Sequence, residues 1–116
     1  MDYNDVYRLS MEFSQTIWDL VQKWPRFAQD TIGKQVVRSS DSVSANLKEG
    51  LGRFFYKDRK QFYYYSRGSL AETSCWLEKS QRRNLISKEE YDRLYDQQNK
   101  LLFNINRIIK DTLSRS

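Results

Sequence analysis

The sequence predicts a small all-α protein, an antiparallel up-down four-helix bundle formed as one domain over residues 1–116. Three observations predict it. Large apolar residues recur at spacings of three and four along most of the chain, the period of one helix face. Glycine (four) and proline (one) are scarce, and their positions cut the chain into four long pieces. The gaps between the pieces are short, which makes consecutive helices antiparallel neighbours.

Helix one is predicted from about Asp5 to Lys23. Its apolar line is Val6, Leu9, Phe13, Ile17, Leu20 and Trp24. A second line, Tyr7, Met11 and Trp18, sits about 120° away at 100° per residue. One line faces the core, and the second suggests a subunit interface. Pro25 stops the helix, because the residue before a proline is pushed from the α region. Helix two is predicted from about Asp30 to Arg53, with Ile32, Val36, Val43, Leu47 and Leu51 inward. A polar seam of Gln35, Ser39, Ser42, Asn46, Glu49 and Arg53 runs beside that line. Its many small residues permit close backbone approach, and Gly50 and Gly52 mark the turn that follows.

Helix three is predicted from about Lys57 to Arg83. Asp58 near its start and Arg82 and Arg83 near its end complement the helix dipole. The inner line is read as Phe62, Tyr65, Ser66, Ser69, Leu70, Thr73, Trp76 and Leu77, with enough small hydroxyl residues to pack closely on helix two. Helix four opens on Ser87-Lys88-Glu89-Glu90, a capping box with Ser87 as N-cap. Tyr91, Leu94, Gln98, Leu101, Leu102, Ile105, Ile108, Ile109 and Leu113 follow at helical spacing. Residues Ser114 to Ser116 are expected to fray.

Composition narrows the function. At 116 residues the chain is one domain, able to bury very roughly 65% of its unfolded surface. Apolar residues are 39% and charged residues 30%, which suits amphipathic helices with much exposed face. A net charge of +5 favours acidic partners, namely RNA, DNA or an anionic surface. There is no histidine, which removes histidine triads, histidine bases and most catalytic zinc sites. The single cysteine, Cys75, cannot form an internal disulfide and reads as a small buried hydrophobe in a reducing cytoplasm. The acidic N-terminal stretch has no signal-peptide pattern, and no apolar run approaches the roughly 18 residues of a membrane span.

The densest motif lies between Arg53 and Arg67. Arg53, Lys57, Arg59, Lys60 and Arg67 face one acid, Asp58, and are interleaved with Phe54, Phe55, Tyr56, Phe62, Tyr63, Tyr64 and Tyr65. Cations neutralise phosphates and aromatic faces stack on bases, so the mixture suits single-stranded or looped nucleic acid. Arg53, Lys57, Lys60, Tyr64 and Arg67 are the candidate contacts. The alternative is that the aromatics plug the bundle end and form a subunit interface while the cations stay solvated. Both readings can hold, since Lys60, Tyr64 and Arg67 fall on the face opposite the predicted core line. Glu49 and Glu72 could be paired catalytic carboxylates, but an interhelical hydrogen-bond network is the plainer reading. Gly50-Leu51-Gly52 is too short for a phosphate loop and follows no strand. With no histidine a di-iron bundle is excluded, and no metal or other cofactor is expected.

The stretch from Val37 to Arg53, containing Ala45-Asn46-Leu47-Lys48-Glu49-Gly50, and the stretch Tyr65-Ser66-Arg67-Gly68-Ser69-Leu70-Ala71-Glu72 resemble a bacterial four-helix-bundle family. It is the family of proteins encoded in intervening sequences of large-subunit ribosomal RNA genes, and it looks related to the accessory variability proteins of diversity-generating retroelements. Trp24-Pro25 and Ser87-Lys88-Glu89-Glu90-Tyr91 also fit, and the likeness spans roughly residues 10 to 112. Ser44 stands where the family leads one to expect proline, and Lys48 where it leads one to expect a small residue. The resemblance implies a ring-like homopentamer with a basic surface and, in the retroelement branch, a complex with a reverse transcriptase and its template RNA. It brings no catalytic residues. Asn46, Glu49, Gly50 and Glu72 carry over as an interhelical polar cluster, and Tyr7, Met11 and Trp18 are the expected oligomer interface. The expectation is therefore a non-enzymatic, cytoplasmic accessory protein that binds nucleic acid, RNA ahead of DNA. A protein-binding scaffold without nucleic acid is the alternative.

Overall fold

The computed structural model describes residues 1–116, and four helical rods account for nearly all of them, with no strand. α1 spans Tyr3–Val21. α2 is one rod in three stretches, Arg26–Ala28, a π-helical Gln29–Gly33, and Lys34–Leu51. α3 spans Tyr56–Arg82 and α4 spans Lys88–Arg115. The bundle measures 46 × 23 × 19 Å. Each rod packs on its chain neighbours, and α4 closes the square against α1.

Long-range hydrogen bonds show the antiparallel order. The Tyr3 hydroxyl at the start of α1 donates to the Leu47 carbonyl near the end of α2. Ser66 donates to the Val43 carbonyl at 2.7 Å, and Thr73 to the Ser39 hydroxyl at 2.8 Å, joining α3 to α2. Gln98 of α4 reaches Ser74 of α3 at 3.1 Å, and Arg107 of α4 reaches the Met1 carbonyl at 3.0 Å. One end of the bundle therefore gathers the start of α1, the α2–α3 turn and the end of α4.

The core is a single cluster running the length of the bundle, including Val6, Phe13, Ile17, Val36, Val43, Leu47, Leu70, Leu94, Leu101 and Ile105. Its α2–α3 side is lined with buried Ser39, Ser40, Ser44, Ser66 and Thr73. Small side chains let those backbones approach closely. Their hydroxyls are satisfied by a carbonyl one turn back or across the interface, which removes the cost of burying them.

Several boundaries differ from the sequence expectation. α1 begins at Tyr3 because Asp2 and Asp5 form a reciprocal capping box, and it ends at Val21, with Trp24 buried in the turn that follows. Pro25 follows the turn after α1 and, with φ of −57°, is the N-cap of α2, which starts at Arg26 instead of Asp30. The π-helical turn lies where Gly33 meets α1. A Cβ on Gly33 would sit 2.8 Å from Val21 Cγ1 and 3.0 Å from the Ala28 carbonyl oxygen. α2 stops at Leu51, not Arg53. α4 continues to Arg115, with an Arg115–Asp111 pair at 3.1 Å and Ser114 donating to the Asp111 carbonyl in its last turn. Asn84 closes α3 with φ of 60°, a left-handed position that asparagine tolerates. Cys75 is exposed, contrary to the buried position expected of it.

The inner line of α3 holds at Ser66, Leu70, Thr73 and Leu77 and differs at its start. Tyr63 is buried and Tyr65 is exposed. The cause is Gly50 on α2: an added Cβ there would lie 2.6 Å from Tyr63 Cε1, so the missing side chain is the space the ring fills. Tyr63 packs on Tyr3 with ring centroids 6.2 Å apart, and the two rings close the core at that end.

Candidate nucleic-acid interface

Gly52 ends α2 in an ordinary right-handed conformation, and Arg53-Phe54-Phe55 carries the chain to the start of α3. Phe54 and Phe55 meet edge to face at 5.0 Å and are 83% and 58% exposed. Arg59, one turn into α3, donates its Nε to the Arg53 carbonyl at 2.7 Å and lies 4.8 Å from the Tyr56 ring centroid, which clamps the turn. Cations sit on aromatic faces throughout this half of the bundle. Arg53 lies over Phe62 at 4.6 Å, Arg67 over Tyr64 at 5.2 Å, Lys48 over Tyr7 at 4.9 Å and Arg115 over Tyr56 at 5.8 Å. The whole chain has six such pairs, so the cation–aromatic mixture in the sequence is also a mixture in space.

The five candidate contacts divide into two groups. Lys57, Lys60, Tyr64 and Arg67 lie along one strip of α3, as spacings of three and four require. The strip turns toward α4, where Arg67 donates to Asn106 Oδ1 at 3.0 Å. It flanks the core line instead of opposing it, because the core line passes through Tyr63. Lys57, Lys60 and Arg67 make no ion pair. Arg53 faces elsewhere: its guanidinium pairs with Glu49 at 2.8 Å and covers Phe62, toward α2.

The four residues expected as one polar cluster are not joined to each other. Asn46 donates to the Ser42 carbonyl, Glu49 holds Arg53, Glu72 accepts from Arg38 and from Trp76 Nε1, and Gly50 makes room for Tyr63. The buried polar contact between α2 and α3 is made by Ser39, Ser66 and Thr73 instead. Hydroxyls reach only a neighbouring carbonyl or hydroxyl, so they fit a close interface that long carboxylates cannot enter. The indole N–H of Trp76 holds the Glu72 carboxyl below the usual carboxylate range; burial opposes it, and the hydrogen bond and charge of Arg38 add to the lowering. Of the expected interface residues, Met11 and Trp18 are 46% and 49% exposed on α1, while Tyr7 is half-buried beneath Lys48.

A feature the sequence reading passed over lies at the very end of the bundle. A cleft of about 490 Å³ opens between the start of α1, the start of α3 and the end of α4, lined among others by Tyr3, Tyr63, Arg59, Arg107 and Asn104. Arg107 reads in the sequence as solvated face. Only the antiparallel return of α4 brings it beside Arg59, 48 positions away in the chain. Burial raises the Tyr3 phenol far above its ordinary value, with Tyr63 and Tyr7 adding to the rise and Arg59 opposing it. Burial likewise raises Tyr63, again against Arg59. Both hydroxyls therefore stay neutral donors in the cleft. In an alkaline titration followed by phenolate absorbance, these two, with Tyr91, which burial also raises, are expected to be the late-titrating ones among the eight tyrosines. The ionisation of Tyr3 and Tyr63 should coincide with loss of helicity. Above pH 10 the unfolded chain releases the phenol protons first, so stability falls as pH rises toward the folded values. Tyr3→Phe and Tyr63→Phe should each remove one late phenolate step. An unchanged step count would refute the assignment.

Together these features define a helical bundle with a basic, aromatic end and no assembled acid–base pair. The chain belongs to the 23S rRNA-intervening sequence protein family, whose model matches residues 2–107. It is similar to the crystal structure of a protein with unknown function from the S23 ribosomal protein family of Bacteroides thetaiotaomicron VPI-5482. The two share 26% identity over 95% of this chain and 99% of that chain, with a TM-score of 0.85. No curated protein matches. No helix is long and apolar enough to cross a membrane.

Proposed function

We propose that this chain is a non-catalytic, basic, oligomeric accessory protein that binds RNA along the first four turns of α3. The observation that carries the reading is the strip of Lys57, Lys60, Tyr64 and Arg67. It sets three cations without carboxylate partners beside an exposed ring, next to the exposed Phe54 and Phe55. Phosphates take the cations and bases stack on the rings. The family description, which speaks of 23S rRNA intervening sequences, supports RNA as the polyanion ahead of DNA. The lack of histidine, with Glu49 and Glu72 each engaged by an arginine, supports a role without catalysis.

Exposed Met11 and Trp18 support self-assembly, since grouped apolar side chains on a bundle this small are unusual in a monomer. Five-fold symmetry and a reverse transcriptase partner belong to this reading through the family resemblance, and a cytoplasmic location fits the lone cysteine. In a ring, every subunit repeats the basic strip, so modest single-site attraction multiplies through effective concentration. A protein-binding scaffold is the second reading. Phe27, 80% exposed at the start of α2, favours it.

The test is fluorescence anisotropy of a labelled single-stranded RNA against salt, with light scattering on the same sample. The expected result is a log-log salt slope of about −0.7 for each phosphate contact. The expected mass is five times that of the 14.0 kDa chain. An oligomer that leaves RNA unbound at low salt would establish the scaffold reading instead, and a monomer would remove the ring.

A further inference from the structure

The end cleft gathers cationic and hydroxyl donors at one place. Three of its donor side chains, Tyr63, Arg59 and Arg107, have donors left over. Tyr63 is only 2% exposed, yet its hydroxyl makes no hydrogen bond within the chain and lines the cleft. Arg59 and Arg107 each spend one N–H on a backbone carbonyl, at 2.7 and 3.0 Å, and neither has a carboxylate. Asn104 also lines the cleft, buried, with an amide N–H donated to the Lys100 carbonyl at 2.8 Å. The two acids present are already engaged. Asp2 accepts from the Asp5 N–H as a helix cap, and Asp111 holds Arg115. A cleft that gathers a phenol hydroxyl and two guanidiniums without carboxylate partners presents donors to an acceptor-rich ligand.

A second cleft of about 390 Å³ adjoins the first and shares Tyr56 and Arg115 with it; its wall is formed by Phe54, Phe55 and Lys57. This neighbour is apolar and aromatic, where the first is cationic. The pairing of a planar apolar surface with an anion pocket matches one ligand chemistry, a flat heterocycle that carries a phosphate.

We infer that the two clefts together hold one nucleoside monophosphate unit, its phosphate monoester between Arg59, Arg107 and the Tyr63 hydroxyl and its base against Phe54 and Phe55. That unit is either a free mononucleotide or the phosphorylated end of an RNA strand, and only the second source rests on the RNA-binding reading. A terminal phosphate carries more charge than an internal diester and leaves three oxygens free, so a pocket with donors on several sides selects the end of a strand over its middle.

The experiment measures binding of AMP, adenosine and inorganic phosphate by equilibrium dialysis. It then compares an RNA octamer carrying a terminal phosphate with the same octamer ending in hydroxyls. AMP is expected to bind at least tenfold more tightly than adenosine or phosphate alone. Tyr63→Phe removes only the unpartnered hydroxyl and keeps the packing, so its melting temperature should hold while AMP affinity falls about tenfold, the size of one hydrogen bond to a charged group. Arg107→Gln should do the same. If the phosphorylated octamer outbinds the hydroxyl octamer in the parent and not in Tyr63→Phe, the source is a strand end. If only AMP responds, the source is the free nucleotide. AMP binding with no octamer binding leaves the pocket standing and removes the RNA reading. The inference is overturned if AMP binds no better than adenosine and a terminal phosphate changes nothing, or if Tyr63→Phe and Arg107→Gln bind as the parent does.

Discussion

Replacing Lys57, Lys60 and Arg67 together by Gln is expected to weaken binding to single-stranded RNA by about two orders of magnitude at 0.1 M salt. Each phosphate contact on a single strand adds about 0.7 to the log-log salt slope, so three lost contacts remove about 2.1 log units at that concentration. The slope itself should flatten by the same amount. Lys57 and Lys60 have no ion-pair partner, and Arg67 leans on a neutral amide and a ring. Their charge is therefore free to act on a polyanion. Arg53 provides an internal comparison, because Glu49 already neutralises it at 2.8 Å. Arg53→Gln should flatten the slope by clearly less than 0.7. Tyr64→Ala should act differently again, lowering affinity by about 1–3 kcal/mol per stacked base while leaving the slope unchanged. All of these positions lie on the surface, so helicity should be retained and stability should move by no more than about 0.5 kcal/mol. If the triple variant keeps the parent slope, the strip is solvated surface and the RNA reading loses its main support.

The fold was legible because it is written in local patterns. Val6, Phe13 and Ile17, or Leu94, Leu101 and Ile105, state a helix face by spacing alone, and Ser87 with Glu90 states where α4 begins. All are found where the pattern places them. The cations and rings between Arg53 and Arg67 were legible as a group for the same reason. What escaped was decided by space between helices. Tyr63 and Tyr65 are equally plausible inward residues in a one-dimensional reading, and only the void at Gly50 chooses Tyr63. With Tyr63 inward, the basic strip flanks the core line instead of opposing it. Arg59 and Arg107 form one cleft only because α3 and α4 return to the same end, and no spacing rule connects them. The four residues taken as one polar cluster also look adjacent on helical faces. Carboxylates on long side chains reach out to arginines at the surface, however, and the buried seam goes to hydroxyls short enough to fit it. The capping box at Asp2 and Asp5 was missed through its chemistry, since an acid pair is a less common form of the motif than Ser with Glu.

Gly50→Val is expected to be the most damaging small change in the bundle. A Cβ at this position would sit 2.6 Å from Tyr63 Cε1 and 3.2 Å from the Arg59 carbonyl oxygen, so ring and backbone must both move. Overpacking of this kind costs about 3 kcal/mol at its upper range. The few tenths gained by replacing glycine inside a helix do not offset it. For a chain of this length the midpoint of thermal unfolding should fall by roughly 10–15 °C. The strain is specific to one neighbour, which makes it testable by a double-mutant cycle in urea. Tyr63→Leu removes the ring, so Gly50→Val should cost at least about 1 kcal/mol less in that background than in the parent. Strictly additive effects would show that the close approach is not what fixes Gly50. Gly68 supplies the control of opposite sign. It lies mid-helix on α3 with no atom within 4 Å of an added Cβ, so Gly68→Ala should stabilise the chain by up to about 1 kcal/mol. Should Gly68→Ala instead lower stability together with the assembled mass, the open face of α3 is covered by a second subunit, and the glycine is there to let that subunit approach.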